Sequence, residues 1–202
     1  MNKNVKIAKQ LVRIAKMLVS NAGDDIESMS KDEKINLAKN NTTSPEILEK
    51  LAEDEDVDVK EGVAENPRTP VEILTKLAED EDDWVRYKIA MNPNAPAEAL
   101  RKLAKDKERW VKYGVAKHPK TPVEVLRKLA EDKNSGVREG VTENPNTPAE
   151  IFTKLAEDGE QLVKMGISKN PKAPVEALRK LAEDEDDWVR GFARHQLRKR
   201  GQ

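Results

Sequence analysis

The chain has 202 residues, of which 37% are charged and 3% are aromatic, and its formal net charge is −1. Near-neutrality argues against a general attraction to nucleic acid or to an anionic membrane. The sequence contains no cysteine, which excludes disulfides and thiolate metal sites, and it has no apolar run near the roughly 20 residues that span a bilayer. These features predict a soluble, cytoplasmic protein that is monomeric.

The first predicted element is an amphipathic helix over residues 3–20. Residues 1–23 contain five basic side chains and no acidic one, and apolar residues recur at helical spacing. The pattern favours the first helix of a capping unit, residues 1–40, whose second helix opens with a capping box from Ser30 to Glu33. A targeting or membrane-surface helix and a helix that docks in a partner's groove are the alternatives.

A 26-residue repeat follows and is written about six times between residues 41 and 193. An Asn-Pro pair marks it, and a second proline keeps the same step at Pro70, Pro96, Pro122, Pro148 and Pro174. A period of this length is typical of stacked helical repeats, in which each repeat buries its apolar face on its neighbours. The predicted fold is all-α, a helical-repeat solenoid with capping segments at both ends.

The first helix of each repeat is predicted from strings such as the one at Thr69 and Pro70. This spacing indicates a threonine N-cap with proline at the first helical position, and the repeats with alanine at the cap should be weaker. Val71, Leu74 and Leu77 are predicted to share the buried face. The repeats with alanine at the cap position contain Ala95 and Ala173.

The second helix is predicted to begin near Asp83 and to end at Asn92, because a residue before proline is pushed out of the helical region. It buries Val85 and Ile89, and acidic residues precede it, where the helix dipole favours them. A length of about nine residues suggests that part of it is a tighter 3₁₀ helix. A recurring glycine inside it, such as Gly140, predicts close approach of a neighbouring repeat, while Lys88 departs from that row.

Two charged rows never break along the repeats. We interpret them as an Asp–Arg/Lys ladder between loops; the functional alternative is a cationic stripe for phosphate. A charge reversal at Asp106 and Lys112 is the expected test of pairing. The rows are Asp54, Asp80, Asp106, Asp132, Asp158 and Asp184, and Lys60, Arg86, Lys112, Arg138, Lys164 and Arg190.

These motifs resemble the leucine-rich variant repeats, a bacterial family of short helical repeats whose phrase is close to NPxTPxExLxxLAxDxxxxVRxxVA. The resemblance covers residues 45–193 and implies a right-handed superhelix of alternating α and shorter α or 3₁₀ segments. It implies no common catalytic activity. Some relatives carry a cysteine-ligated cluster domain, a feature that this cysteine-free chain does not share.

The C-terminal segment, residues 194–202, is predicted to be a basic helical cap. Gln196 and Leu197 stand where Asn-Pro would be, so the last helix should continue. Arg194 replaces a small residue, which suits a face without a neighbouring repeat.

Function is expected where the repeats differ. The position before the repeated valine holds Asp58, Trp84, Trp110, Gly136, Leu162 and Trp188, and the second position after it holds Glu61, Tyr87, Tyr113, Glu139, Met165 and Gly191. Aromatic residues near basic ones are typical of interface hot spots, although the tryptophans could also fill gaps between repeats. The candidate partner-binding residues are Trp84, Tyr87, Lys88, Arg109, Trp110 and Tyr113.

The sequence therefore predicts a non-enzymatic interaction module that binds a protein or peptide around residues 84–118. A nucleic-acid-binding repeat protein that uses the Lys/Arg row is the alternative. It is disfavoured by the net charge and by residues 41–66, which carry nine acidic and two basic side chains. With two histidines and no Gly-rich phosphate loop, no triad, zinc site or nucleotide pocket is expected, and no cofactor.

Overall fold

The computed structural model describes residues 26–202, so the predicted helix over residues 3–20 lies outside it. Residues 26–202 contain thirteen α-helices and no β-strand, which confirms the predicted all-α repeat fold. The helices are α1 (Lys31–Lys39), α2 (Pro45–Leu51), α3 (Val57–Glu65), α4 (Val71–Leu77), α5 (Asp83–Met91), α6 (Ala97–Leu103), α7 (Arg109–Lys117), α8 (Val123–Leu129), α9 (Ser135–Glu143), α10 (Ala149–Leu155), α11 (Gln161–Lys169), α12 (Val175–Leu181) and α13 (Asp187–Lys199).

The chain divides into two compact units, unit 1 (Met1–Ala99) and unit 2 (Leu100–Gln202), and each is described by itself. In unit 1 the second helices α1, α3 and α5 pack in series. In unit 2 the second helices α7, α9, α11 and α13 do the same. First helices pack against the second helices of their own and adjacent repeats. The predicted boundaries of the capping segments, at residues 40 and 193, stay a prediction.

First helices have seven residues, and all second helices before α13 have nine. No 3₁₀ helix is found among residues 26–202, so the prediction of a partly 3₁₀ second helix is wrong. At the start of α5, the Asp82 side chain accepts the backbone N–H groups of Trp84 and Val85, which satisfies donors of the first turn. The predicted bounds of α5 are confirmed.

The core is aliphatic, and Val85 and Ile89 are fully buried as predicted. In α4 the buried face consists of Ile73, Leu74 and Leu77. The prediction for Val71 is wrong, because the helix begins at this residue and its side chain is 49% exposed.

In four repeats a threonine that precedes the first helix binds the end of the preceding helix. The Thr69 hydroxyl donates to the carbonyl of Val63 at 2.6 Å, and Pro70, not Thr69, directly precedes α4. The predicted capping box at this position is therefore wrong: the hydroxyl donates to a carbonyl in the last turn of the preceding helix, which also accepts the backbone N–H of Asn66. The same bond recurs from Thr43 to Leu37, from Thr121 to Val115 and from Thr147 to Val141.

The asparagine of each Asn-Pro pair joins adjacent repeats. The Asn144 side-chain amide donates to the carbonyls of Ala116 and His118, both at 2.7 Å, and its oxygen accepts the N–H of Asn146 at 2.8 Å. Asn66, Asn92 and Asn170 make equivalent bonds to the preceding repeat. The asparagine is therefore needed for stacking as well as for the turn.

The predicted ladder of aspartates and cations is confirmed, with a different register. Four cations of the row, Lys60, Lys112, Arg138 and Lys164, reach the aspartate 20 residues ahead, in the next repeat, so Lys112 pairs with Asp132 rather than with Asp106. Arg190, in the last repeat, pairs instead with Asp187. The side chains of the ladder are 8% to 22% exposed. The nitrogen–oxygen distances are 2.6 Å for Lys34–Asp54, 2.6 Å for Lys60–Asp80, 2.5 Å for Lys112–Asp132, 2.6 Å for Arg138–Asp158 and 2.8 Å for Lys164–Asp184.

The glycine row marks close contact between second helices, as predicted. A β-carbon at Gly140 would lie 3.0 Å from that of Ala116, and one at Gly166 would lie 1.9 Å from the Thr142 hydroxyl oxygen. The neighbouring repeat therefore leaves no room for a side chain at these positions.

The C-terminal helix α13 has thirteen residues and continues past the position of the missing Asn-Pro pair, as predicted. The Arg200 guanidinium donates to the carbonyls of Asn170, Pro171 and Ala173 at 2.5 to 3.3 Å, and Arg194 donates to Ala182 at 2.9 Å. These arginines bind carbonyls at the end of the last repeats, where asparagines of a following repeat would otherwise donate.

Candidate partner-binding surface

The variable residues lie on the outward side of the second helices, which we call the second-helix face. It consists of the two rows that flank the repeated valine. Every valine of that row is fully buried, whereas Trp84, Leu162 and Trp188 are 53%, 54% and 68% exposed. In these three helices the valine belongs to the buried core, whereas the variable residue directly before it is exposed.

In unit 1, α5 carries three of the predicted site residues. The Trp84 and Tyr87 rings meet edge to face, with centroids 5.8 Å apart and an angle of 83° between their planes. The Lys88 ammonium lies 3.5 Å from the carboxylate of Glu65 on α3. This contact accounts for a lysine in the glycine row, since its side chain neutralises an acidic residue of the preceding repeat.

In unit 2, α7 carries the other three. Arg109 is exposed, and Trp110 and Tyr113 are half-buried. The Tyr113 hydroxyl donates to the Glu143 carboxylate at 2.9 Å, and burial together with that carboxylate raises the pKa of Tyr113. Lys117 lies 3.0 Å from the same carboxylate and 5.7 Å from the tyrosine ring centroid.

Tyr87 and Tyr113 are half-buried and thus more exposed than the fully buried Val85 and Val111 of their own helices. Tyr113 also has a packing role, because a β-carbon at Gly140 would lie 3.0 Å from its ring.

Unit 2 also contains a cleft of about 300 Å³ between α9 and α11 on the second-helix face. Its walls combine apolar side chains with two acidic and two basic ones. The lining residues are Lys117, Glu139, Glu143, Leu162, Met165, Gly166, Lys169, Asn170 and Pro171.

The carboxylate of Glu139 has an unusual environment in this cleft. Burial raises its pKa, and the nearby Glu143 carboxylate adds to this effect, while Lys169 and Lys117 oppose it. Within residues 26–202, no side-chain cation lies within 4.0 Å of the Glu139 carboxylate. Burial likewise raises the pKa of Glu61, its counterpart three repeats earlier, where Lys88 opposes the rise.

Sequence reasoning did not select Glu139, Leu162, Met165 or Trp188 as site residues. All four belong to the two variable rows, so the variation among repeats at these positions could have identified them. The candidate residues were chosen within residues 84–118 because aromatic side chains lie near basic ones there. Which side chains are exposed depends instead on how the adjacent repeats pack.

Four side chains of the Lys/Arg row form ion pairs with aspartates, which leaves little positive charge for an external phosphate. Arg138 donates to Asp158 through two nitrogens, at 2.6 and 2.9 Å, and also to the carbonyl of Asp132. Burial raises the pKa of Asp158, yet the hydrogen bonds from Arg138 and from the Glu160 N–H outweigh it, and the net pKa is lowered. The row therefore serves internal pairing, which weighs against the phosphate interpretation.

Residues 26–202 also lack the features of two other kinds of site. No cluster of three or more histidine, aspartate or glutamate residues there could hold a metal ion. No helix of this part of the chain is long and apolar enough to cross a membrane.

Helices in a 26-residue register, joined by asparagine bonds and an ion-pair ladder, define a helical repeat protein. Residues 57–82 match the family model of the leucine rich repeat variant. A solved structure described as a leucine-rich repeat variant with a novel repetitive protein structural motif is similar, with 28% identity and a TM-score of 0.65 over 87% of this chain and 70% of that one. No curated protein matches the chain. The predicted resemblance to the leucine-rich variant repeats is confirmed, by the family model over residues 57–82 and by the similarity to this solved structure.

Proposed function

We propose that this protein is a non-enzymatic interaction module that binds a protein or peptide partner on the second-helix face. The observation that carries the proposal is the exposure of large apolar side chains at the variable rows, with Trp84, Leu162 and Trp188 more than half exposed. Exposed aromatic and aliphatic side chains with basic and acidic neighbours are typical of interface hot spots.

The six residues selected from the sequence remain candidates within this surface. Trp84 and Arg109 offer exposed contacts, while Tyr87, Lys88, Trp110 and Tyr113 are half-buried. A half-buried tyrosine suits such a surface, because its ring packs while its hydroxyl stays available to a polar partner. We extend the surface to Leu162, Met165 and Trp188.

The working form is proposed to be a cytoplasmic monomer. The absence of cysteine supports a compartment in which disulfides are not needed. Binding of nucleic acid is a weaker candidate, because the cationic row that would contact phosphate is engaged by aspartates.

Site-specific photo-crosslinking tests the proposal. A benzophenone amino acid placed at Leu162 on the second-helix face is compared with one at Lys128, an exposed position on the first helix α8. In extracts of the native host we expect a discrete protein adduct from position 162 and none from position 128. Equal adducts from both positions, or adducts with nucleic acid alone, would contradict the proposed face.

A further inference from the structure

The cleft between α9 and α11 contains a carboxylate that has no direct salt bridge within residues 26–202. Glu139 is half-buried, and no side-chain cation of residues 26–202 lies within salt-bridge distance of it. Leu162 and Met165 line the same cleft, and Leu162 is 54% exposed. A partly desolvated carboxylate beside open apolar surface is a suitable environment for a cation on an aliphatic stem.

The chain holds a filled version of this site three repeats earlier. Shifting by 78 residues aligns Glu61 with Glu139 and Glu65 with Glu143, and it aligns Lys88 with Gly166. In unit 1, the Lys88 ammonium lies 3.5 Å from Glu65, and its charge opposes the rise in the pKa of Glu61. In unit 2, glycine takes the place of that lysine, and it lines the open cleft.

The neighbouring repeat explains why unit 2 has no lysine here. A β-carbon at Gly166 would lie 1.9 Å from the Thr142 hydroxyl oxygen, whereas Ala64 is the counterpart of Thr142 in unit 1. The cleft is therefore kept free of a side chain at the position of Lys88, and the Glu139 carboxylate has no direct ion pair within residues 26–202.

We propose that this cleft binds a lysine or arginine side chain of a protein partner, with its charge beside Glu139 and its aliphatic stem against Leu162 and Met165. The incoming cation would take the role that Lys88 has in unit 1. This inference rests on the proposed function, because it assigns a chemical class to one contact of the same face.

The charges favour a cation over an anion. Lys117 is paired with Glu143 at 3.0 Å, and Lys169 lies 5.1 Å from the centroid of the Phe192 ring. Both lysines are exposed and hydrated, whereas Glu139 has lost part of its hydration. A partly buried charge gains more from a partner than an exposed one does.

The test uses the full chain and pentapeptides Ac-Gly-Leu-X-Leu-Gly-NH₂, in which X is lysine, arginine or norleucine. Titrations followed by NMR report the affinity and the amides that shift. We expect the lysine and arginine peptides to shift Gly166 and Met165 and to bind about five- to tenfold more tightly than the norleucine peptide. The lysine peptide should also lower the pKa of Glu139, read from its carboxyl carbon, because a nearby cation favours the charged form.

Two variants separate this contact from general stickiness. Glu139→Gln should reduce the affinity for the lysine peptide to that for the norleucine peptide. Thr142→Ala with Gly166→Lys recreates the unit 1 arrangement and should weaken the lysine peptide about as much, while Thr142→Ala alone should bind as the wild type does; circular dichroism checks that all three fold.

Equal affinity for the lysine and norleucine peptides at this face would overturn the cation assignment and leave the proposed function supported. Unchanged affinity in Glu139→Gln, or no shifts with any peptide at millimolar concentration, would also overturn the assignment. Failure of the crosslinking comparison at position 162 would instead count against the proposed function.

Discussion

The Arg138–Asp158 pair gives the sharpest prediction about stability. Asp158 accepts two hydrogen bonds from the guanidinium and one from the backbone N–H of Glu160, at 2.6 to 2.9 Å. Its side chain is 8% exposed and that of Arg138 is 16% exposed. Breaking a buried ion pair by removing one partner costs about 3–5 kcal/mol. Asp158→Asn keeps the shape and one acceptor, so we expect a loss of about 2–3 kcal/mol.

The matched control is the Arg127–Glu150 pair of the first helices. Its nitrogen–oxygen distance is 3.0 Å, but the two side chains are 60% and 57% exposed. Water and salt screen such a pair, so Glu150→Gln should unfold at the same urea concentration as the wild type. If Asp158→Asn and Glu150→Gln have the same unfolding midpoint by circular dichroism, the ladder does not join the repeats energetically.

The Arg138–Asp158 pair also predicts that the free energy of unfolding depends on pH. The folded-state pKa of Asp158 is lowered, so its contribution is present above the unfolded-state pKa and is lost as the pH falls through the folded-state pKa. The stability gap between the wild type and Asp158→Asn should therefore be full at pH 7 and should shrink below about pH 4. A gap that stays constant from pH 7 to pH 2 would show that charge is not its source.

Three further predictions concern other rows and use urea unfolding. Gly166→Ala should destabilise the protein because of the contact with Thr142, and Thr142→Ala should restore part of the loss; no rescue would contradict the contact. Ala173→Thr should stabilise by about 1 kcal/mol by donating to the carbonyl of Ile167, as equivalent threonines do, and a loss of stability would show that the row lacks room. The folded-state pKa of Glu139 is raised, so its charged form is destabilising and this effect is absent below the unfolded-state pKa. Glu139→Gln should therefore raise stability at pH 7 but not at pH 4, and equal effects at both values would contradict this.

Much of the fold was readable from the sequence because a proline fixes where the preceding helix ends. The bounds of α5 and the ion-pair ladder followed from the period and from charge rows that never break. The register of the ladder did not follow, since spacing within one repeat cannot show which neighbour a long side chain reaches. The pair Lys112–Asp132 shows this, because its aspartate belongs to the next repeat.

The main error in the predicted structure came from side chains that can both donate and accept hydrogen bonds. Thr69 precedes proline and a helix, as an N-cap would, yet its hydroxyl donates six residues back to Val63. Local sequence preferences favour the cap, whereas the position of the Val63 carbonyl beside the hydroxyl is visible only in the folded chain. The cleft at Glu139 was hidden for the same reason, because it exists only between α9 and α11.

The variable rows were identified as positions where the repeats differ, but the sequence did not show which of those positions are exposed. Trp188 is 68% exposed and Trp84 is 53% exposed, whereas Trp110 in the same row is half-buried. Trp188 was not among the candidate partner-binding residues. The exposure of a side chain depends on the residues packed around it, which a single row of the repeat does not show.

The most direct test of the account compares partner capture by Leu162→Ala/Trp188→Ala with capture by Val71→Ala/Val123→Ala. Both pairs remove exposed apolar side chains, the first from the second-helix face and the second from first helices. We predict that both variants keep the wild-type melting temperature within a few degrees, as surface changes do. Only the first should lose the partner crosslinked at the second-helix face; unfolding of the first variant, or equal loss of capture in both, would contradict the claim that this face serves binding rather than folding.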